Sequence, residues 1–531
     1  MCKKIKDPIY GYIEINAAYL FILDSACFQR LRNVIQTSYT AIYPSALHNR
    51  FSHSLGVFWL GNLAFDAFIK NTEGLLEKDP NVQKIKNTFL LACLCHDIGH
   101  SPFSHTGEKF YDKYECSLEL KLLVDDEAYS TDLENEGGVV GHEHEIMSAL
   151  IALQTFGEFI GRENYALFAR SIIGLTYQDA KKANLLHRLK CACVEMLNSD
   201  IIDVDKLDYL IRDSYMSGYD SMSIDYKRLL SGVFVNLDDY PIGYEKKSLS
   251  VLESVLTAND MERRWIQSHP VALYESYLIQ TIIRELGNKY IDKKKPDNKL
   301  FSINALKEKG VTINRQKIRL LSDADILYLA KKDYNKSHAI QEYYNRKERR
   351  HPFWKSEAEF SRLFDFKKDS VFIEIILKWE KDLLEGKYST YSINDTYLNA
   401  LKKEALSLKK GIEQSSDISK TKTYTGKLEK LKQEIKLLLS IKRYLKKHGL
   451  DFDLVIISTN QFKSNIYKSS FKNLPIRFNN ISSIPSIMRD VTFLPLDTQE
   501  NNVFFYLFYK RNGNPVDTLE FSKELRRIAI I

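Results

Sequence analysis

The segment from Leu90 to His105, LLACLCHDIGHSPFSH, constrains the fold of this chain more than any other stretch. An apolar run leads into the adjacent pair His96-Asp97 and is then broken by Ile-Gly-His-Ser-Pro, so the pair stands at the end of a helix and faces a polar cleft wall. Imidazole nitrogen and carboxylate oxygen side by side suit a transition metal or Mg²⁺ better than a thiolate set would. Taken alone, a His-Asp dipeptide at a helix end also serves as a cap with a solvated ring.

The other histidines sharpen the reading. Seven of the twelve (His48, His53, His96, His100, His105, His142 and His144) fall in the first third of the chain. His53 lies on an upstream segment expected to be an amphipathic helix, and Asp203-Val-Asp205-Lys206-Leu-Asp-Tyr209-Leu-Ile-Arg212-Asp213 supplies carboxylates downstream. Asp205, Tyr209 and Asp213 recur every fourth residue and share one helix face, with Leu207, Leu210 and Ile211 on the opposite side. The same spacing also fits a solvated stripe of acids neutralised by Lys206 and Arg212.

These motifs, in this order, resemble the HD-domain deoxynucleoside triphosphate triphosphohydrolases, a family that includes bacterial dGTPases and a vertebrate enzyme with an added sterile-alpha-motif. The matching stretches are KDPIYGYIE from Lys6, DSACFQRLR from Asp24, HNRFSHSLG from His48, the His96-Asp97 segment, His144-Glu145, and IDVDKLDY from Ile202, spread over roughly the first 290 residues. Other HD proteins act on cyclic nucleotides, alarmones or nucleoside monophosphates. The CHDIGHSPFSH and DVDKLDY stretches are similar to the triphosphohydrolase branch.

The resemblance implies that His53, His96, Asp97 and Asp205 hold a divalent metal drawn from Mn, Fe, Mg or Zn, often as a mixed pair. It also implies attack by a metal-activated water at the α-phosphorus, which releases deoxynucleoside and intact inorganic triphosphate. The departing 5′-oxygen needs a proton, and a histidine is suited to give it. His144, beside Glu145 and with Ser148 completing a His-Glu-x-x-Ser spacing, is preferred over His105, which has Glu108 one turn on; Glu108 stands where the family usually has Asp. By the same resemblance, Arg50 and Lys206 grip the phosphates, His100 lies in the same substrate pocket, and Gln36, Tyr209 and Asp213 meet the sugar. Tyr274, with Tyr277 as an alternative, packs at C2′. Asp24, Gln29, Arg32 and Lys6 match an activating nucleotide site, with Lys6 replacing an Asn. Asp24 and Arg32, eight apart, are expected on one helix face; on helices such residues also serve as plain surface ion pairs. A homo-oligomer, tetramer or hexamer, is implied, as are roles in dNTP-pool control or antiviral defence. dGTP is the expected preference.

Composition fits a large enzyme. At 531 residues the chain is long enough for several cores. A net charge of +7 permits polyphosphate or nucleic-acid binding without making nucleic acid the primary partner. Seven cysteines with no C-x-x-C pair exclude a disulfide framework and a zinc ribbon, and Cys93, Cys95, Cys191 and Cys193 read as small core residues. No apolar run reaches membrane-spanning length and no apolar signal core opens the chain, so a cytoplasmic protein without a membrane partner is expected.

The expected fold class is mainly α, an HD-type helical core with a smaller α+β C-terminal region. The expected divisions are a catalytic domain over 1–290 with a hairpin near Val233–Gly243, a helical extension of the core over 291–400 that opens with a Lys-rich linker, a Lys-rich helical arm over 401–450, and a small α+β domain over 451–531. Two other functions compete: an HD phosphohydrolase of another phosphoester, such as a nucleoside monophosphate or cyclic nucleotide, and a nucleotide-sensing or nucleic-acid-binding module.

Overall fold

The computed structural model describes the chain apart from residues 1, 73–78, 179–183, 220–222, 238–239, 291–299, 314–315, 389, 415–417, 465–470, 472, 479–485, 488–501, 512–515 and 530–531. Helices dominate and the sheets are small, so the chain is mainly α. Two compact units emerge, each built from three segments. The first comprises 1–267, 282–332 and 463–498, and the second comprises 268–281, 333–462 and 499–531.

The first unit opens with an antiparallel hairpin, β1 (Cys2–Asp7) and β2 (Gly11–Asn16), with Ile5 opposite Ile13. Its centre is α1 (Arg50–Asn71), which starts where the Asn49 side chain accepts the Ser52 N–H. An amphipathic helix was expected here. Instead α1 buries residues around its circumference, from Phe51, His53, Leu55 and Val57 to Phe65 and Phe68, because other elements cover it on several sides. Against it lies α2 (Pro80–Cys95), begun by an Asp79 cap and a proline in the first turn and ended at His96. Next come α3 (Glu143–Ile160), α4 (Tyr165–Ile173) and α5 (Leu185–Leu197), all packed on α2, and α6 (Val204–Ser217), packed on α1. Cys93, Cys95, Cys191 and Cys193 are free thiols in this core, as their apolar neighbours predict.

The expected hairpin is present as β3 (Val233–Val235) and β4 (Ile242–Glu245), with Val233 opposite Tyr244. Positions 238–239 of its turn lie outside the described residues. A strand from Pro475–Arg477 joins β4 in parallel. The Lys-rich linker near 292–297 also lies outside the described residues, but α7 (Asp323–Lys332) beyond it sorts with this unit.

In the second unit, helices Asp395–Gln414 and Ile418–Lys447 pack together, and 415–417 between them lie outside the described residues. Strands Val455–Asn460 and Val503–Tyr509 pair antiparallel, with Phe505 opposite Ser458. Their third strand, His351–Pro352, comes from outside the tail. Just beyond it, buried Trp354 donates its indole N–H to the Phe505 carbonyl at 2.6 Å.

Candidate active site

Four donors converge where α1, the end of α2 and the start of α6 meet. His53 and His96 face each other through Nε2 atoms 3.3 Å apart. Asp205 Oδ1 lies 2.9 Å from His53 Nε2 and 3.7 Å from His96 Nε2, and the Asp97 oxygens lie 3.6 Å and 3.4 Å from the same two nitrogens. His53, His96 and Asp97 are buried, while the Asp205 side chain is 34% exposed and marks the open side.

The far side of each ring decides what faces inward. His96 Nδ1 is 2.9 Å from the Cys93 carbonyl, which can only accept, so this nitrogen carries the proton and Nε2 presents its lone pair. His53 Nδ1 is 2.7 Å from Asp208 Oδ2, which fixes the same tautomer. Two lone pairs and two carboxylates then face one another, an arrangement that repels unless a cation sits among them. Burial alone would disfavour charge on His53, yet Asp205, Asp208 and Asp97 lift it to about 10, so in the absence of an ion a proton supplies the missing positive charge. The separations of 2.9–3.7 Å between these donors match neighbouring ligand atoms around an ion bound at about 2.0–2.2 Å. The residues therefore fit a divalent metal.

Sequence reasoning passed over Asp208, which is fully buried. Its Oδ1 accepts from Tyr10 Oη at 2.7 Å and Arg212 Nη2 at 3.0 Å, and its Oδ2 from His53 and Arg212 Nε at 2.8 Å. Asp7 holds Arg212 from the other side at 3.0 Å. Burial raises the Asp208 carboxyl, but Arg212 and His53 outweigh it and bring it to about 2. The residue had a legible signal, the i, i+4 pairing of Asp208 with Arg212, although Arg212 was weighed as a surface charge. Gly56 makes room for it: a Cβ there would lie 1.8 Å from Asp208 Oδ1.

Asp97 is also gripped by Arg50, Nη1 to Oδ2 at 2.9 Å, while Arg50 Nε reaches Ser104 Oγ at 3.0 Å. Burial opposes charge on Asp97, but Arg50, His96 and His100 hold it well below the usual carboxylate range. Phe103 and Ser104 adopt left-handed φ values of 61° and 50°, a conformation that costs about 1–2 kcal/mol per residue. Asp323 of α7 braces this turn, its Oδ1 accepting from Phe103 N at 2.7 Å and its Oδ2 from Ile35 N at 2.9 Å. Gly99 presses against the backbone of α3, its N–H donated to Ser148 Oγ at 2.8 Å, which gives the His-Glu-x-x-Ser spacing a structural purpose.

A second cluster lies next to the first. Glu108 Oε1 is 2.9 Å from His100 Nδ1 and 3.1 Å from both His105 Nδ1 and His144 Nδ1. The His100 and His144 rings stack at 4.1 Å, and His100 Nε2 is 3.0 Å from Asp97 Oδ1. Burial works against charge on His144, but Glu108, Glu145 and Asp97 raise it to about 9. Burial together with the Arg50 and His144 charges pushes His100 down to about 3. Glu108 thus serves both candidate acids. Glu145 was expected beside His144 as its carboxylate; its Oε2 instead accepts the His142 N–H at 2.5 Å and caps α3.

The remaining predicted residues divide. Asp213 accepts from Tyr39 Oη at 2.6 Å and sits 2.6 Å from His48 Nε2. Gln36 follows on, its N–H donated to the His48 carbonyl and its Oε1 buried without a partner among the described residues. Tyr209 stands 3.5 Å from Asn259 Nδ2. His48, Tyr39, Asn259 and Glu262 were not assigned from sequence; burial and the Asp213 charge raise Glu262 well above the usual carboxylate range. Lys206 bonds Asp203 Oδ2 at 2.5 Å and the Ser199 carbonyl.

Tyr274 belongs to the second unit, where its hydroxyl meets Glu342 and Arg350. Asp24 and Arg32 do not share a helix, because Asp24 closes one helix and Ser25 caps the next, which passes into a 3-10 turn. Asp24 pairs with Lys3 at 2.7 Å, Gln29 Oε1 accepts from Arg32 at 2.7 Å, and Lys6 lies over the Tyr12 ring.

No protein-family model matches the chain. It is 28% identical over 297 residues to an uncharacterized protein of Methanocaldococcus jannaschii, covering 55% of this chain and 52% of that one. It is 30% identical over 280 residues to deoxynucleoside triphosphate triphosphohydrolase SAMHD1 of Homo sapiens, covering 50% and 42%. The chain therefore spans about half, or less, of the length of these curated relatives. A phosphohydrolase of Bacteroides thetaiotaomicron shares the fold, with a TM-score of 0.54 at 18% identity over 96% of this chain and 100% of that one. The resemblance to HD-domain triphosphohydrolases carried by the motifs is matched by sequence similarity over about half of the chain.

Proposed function

We propose that the chain is a metal-dependent hydrolase of deoxynucleoside triphosphates that yields deoxynucleoside and inorganic triphosphate. The observation that carries this reading is the pair of histidines, His53 and His96, whose outer nitrogens are fixed by Asp208 and the Cys93 carbonyl so that both lone pairs meet Asp97 and Asp205. A divalent ion held by these four would supply Lewis acidity toward a phosphate oxygen. The similarity to proteins named triphosphohydrolases supports the substrate class.

In this reading the chain's own groups divide the work. Arg50 keeps Asp97 ionised and adds positive charge where phosphate oxygens would lie. Lys206 contributes by exchanging Asp203 for a phosphate. His144, kept protonated by Glu108, gives a proton to the leaving 5′-oxygen, with His105 on the exposed side of the same carboxylate. Gln36, Tyr209 and Asp213 receive the sugar, and the unpartnered Gln36 oxygen is available to a hydroxyl donor. A preference for dGTP, activation by a nucleotide near Lys6, Asp24, Gln29 and Arg32, homo-oligomeric assembly, cytoplasmic location and a role in dNTP-pool control or antiviral defence belong to the same reading.

The test is to incubate metal-supplied protein with each dNTP singly and with all four mixed, beside Asp97→Ala, and to identify products by chromatography and mass. Deoxynucleoside with intact triphosphate, absent from the variant, is expected. Turnover only in the mixture would indicate activation, and absence of product throughout would refute the reading in favour of another phosphoester or a sensor.

A further inference from the structure

Three imidazoles share one carboxylate oxygen around Glu108, more than that oxygen can serve. A carboxylate oxygen offers two in-plane lone pairs, yet Glu108 Oε1 has His100, His105 and His144 Nδ1 at 2.9, 3.1 and 3.1 Å. His100 Nδ1, His144 Nδ1 and Glu108 Oε1 are all buried without a well-directed hydrogen bond among the described residues, and an unsatisfied buried polar atom is costly. All four ligand atoms lie within 4.8 Å of one another.

We propose that His100, His105, His144 and Glu108 form a second transition-metal site, distinct from the four donors at His53, and that Zn²⁺ bound there takes the proton donors out of the reaction. The separations around Glu108 resemble a coordination tetrahedron, in which bonds of about 2.0–2.1 Å leave neighbouring ligand atoms about 3.3 Å apart. Three nitrogens and one oxygen are a borderline set that favours zinc or cobalt over magnesium. Asp97 Oδ1 lies 3.0 Å from His100 Nε2 without a well-directed hydrogen bond, so its negative charge favours the proton on that nitrogen and leaves Nδ1 as the ligand, while His105, whose side chain is 66% exposed, gives an ion a path from solvent. With zinc on Nδ1 in place of the proton that faces Glu108, the ring is no longer an imidazolium, and its remaining Nε2–H is a far weaker acid toward a leaving oxygen. This loss of turnover rests on the proposed function, whereas the site itself does not.

The test uses the full chain, stripped of metal, equilibrated with Zn²⁺, desalted and assayed for retained metal. Two ions per chain are expected in the parent, one in His105→Ala and one in His53→Ala. Should His53→Ala fail to fold, a Co²⁺ titration of the parent by visible absorption serves instead, with two successive transitions expected and the second missing in His105→Ala. One retained ion in the parent, or two in His105→Ala, overturns the site. In Mn²⁺-supported turnover, Zn²⁺ beyond the first equivalent should lower the rate at least about tenfold, and an unchanged rate overturns the inhibitory role. Hydrolysis by the Mn²⁺-loaded protein with a single Zn²⁺ ion retained in the zinc experiment would defeat this inference and leave the proposed function standing; two retained Zn²⁺ ions with no hydrolysis by Mn²⁺-loaded, zinc-free protein would do the reverse.

Discussion

Replacing Asp208 with Asn tests the orienting of the candidate metal centre most directly, because the side chain keeps its shape and loses only its charge. Both Asp208 oxygens face two donors, Tyr10 and Arg212 on one and His53 and Arg212 on the other. Any orientation of Asn therefore points an NH₂ at the guanidinium. Turned toward Tyr10, whose hydroxyl can rotate to accept, the amide still accepts from His53 and Arg212 Nε, but Arg212 Nη2 loses its acceptor and Asp7 is left as the one carboxylate on the guanidinium. The carboxyl is held down at about 2, against an ordinary 3.8, which is equivalent to roughly 2–3 kcal/mol and falls just short of the 3–5 kcal/mol lost when a buried pair is broken. Because the folded-state value is depressed, this stability is present above about pH 3.8 and disappears as pH falls through about 2. Support for a metal-binding histidine is typically worth 10–100-fold in affinity, and the retained His53 contact places Asp208→Asn near the tenfold end. Denaturant unfolding of metal-free protein and Zn²⁺ competition against a chromogenic chelator read the two effects separately. Unfolding unchanged within about 0.5 kcal/mol together with affinity within twofold would refute the orienting role.

His144 has a folded-state value of about 9, above its usual 6.5, so its ion pair with Glu108 stabilises the fold fully below about pH 6.5 and ceases to do so as pH rises through 9. Turnover should fall along the same alkaline limb, and Glu108→Gln should move that limb to lower pH; a pH–rate profile unmoved by the change would contradict the assignment. Gly99→Ala would put a Cβ 2.3 Å from the Ser148 backbone nitrogen, where no rotamer can yield, so thermal unfolding should show a loss at or above the usual 1–3 kcal/mol of overpacking. Tyr274→Phe leaves a Glu342 oxygen short of a donor and should cost about 1–2 kcal/mol in denaturant unfolding; an unchanged unfolding midpoint would contradict that bond.

The helical class and the β3–β4 hairpin were legible because each rests on local periodicity or β-branched and aromatic composition. The donors gathered around His53 were named by the family resemblance, since their spacing alone also fits a solvated acidic stripe. What sequence concealed was long-range sharing. Glu108 lies three residues from His105 and one turn of chain suffices to pair them, but its contact with His144 depends on how α3 meets the turn before it. Glu145, adjacent to His144, was the natural local partner and went to a helix cap instead. Tyr274 sits near matching residues in the chain, yet its partners come from Glu342 and Arg350, about seventy residues away. His48 and Tyr39 gave no periodic signal, since they occupy irregular backbone and matter only through Asp213.

The Asp323 brace bears on how this protein can be cut. A fragment ending at residue 290 would retain His53, His96, Asp97 and Asp205, together with Glu108 and its three histidines, so by inventory it is a complete catalytic piece. It would lack the carboxylate that holds the backbone N–H groups of Ile35 and Phe103, and the left-handed Phe103–Ser104 turn would lose an anchor beside the oxygen that Arg50 uses. Minimal-fragment designs and truncation maps that count ligands alone would therefore place the boundary too early. For this chain, the shortest stretch that carries the chemistry and the shortest stretch that can hold it still are different lengths.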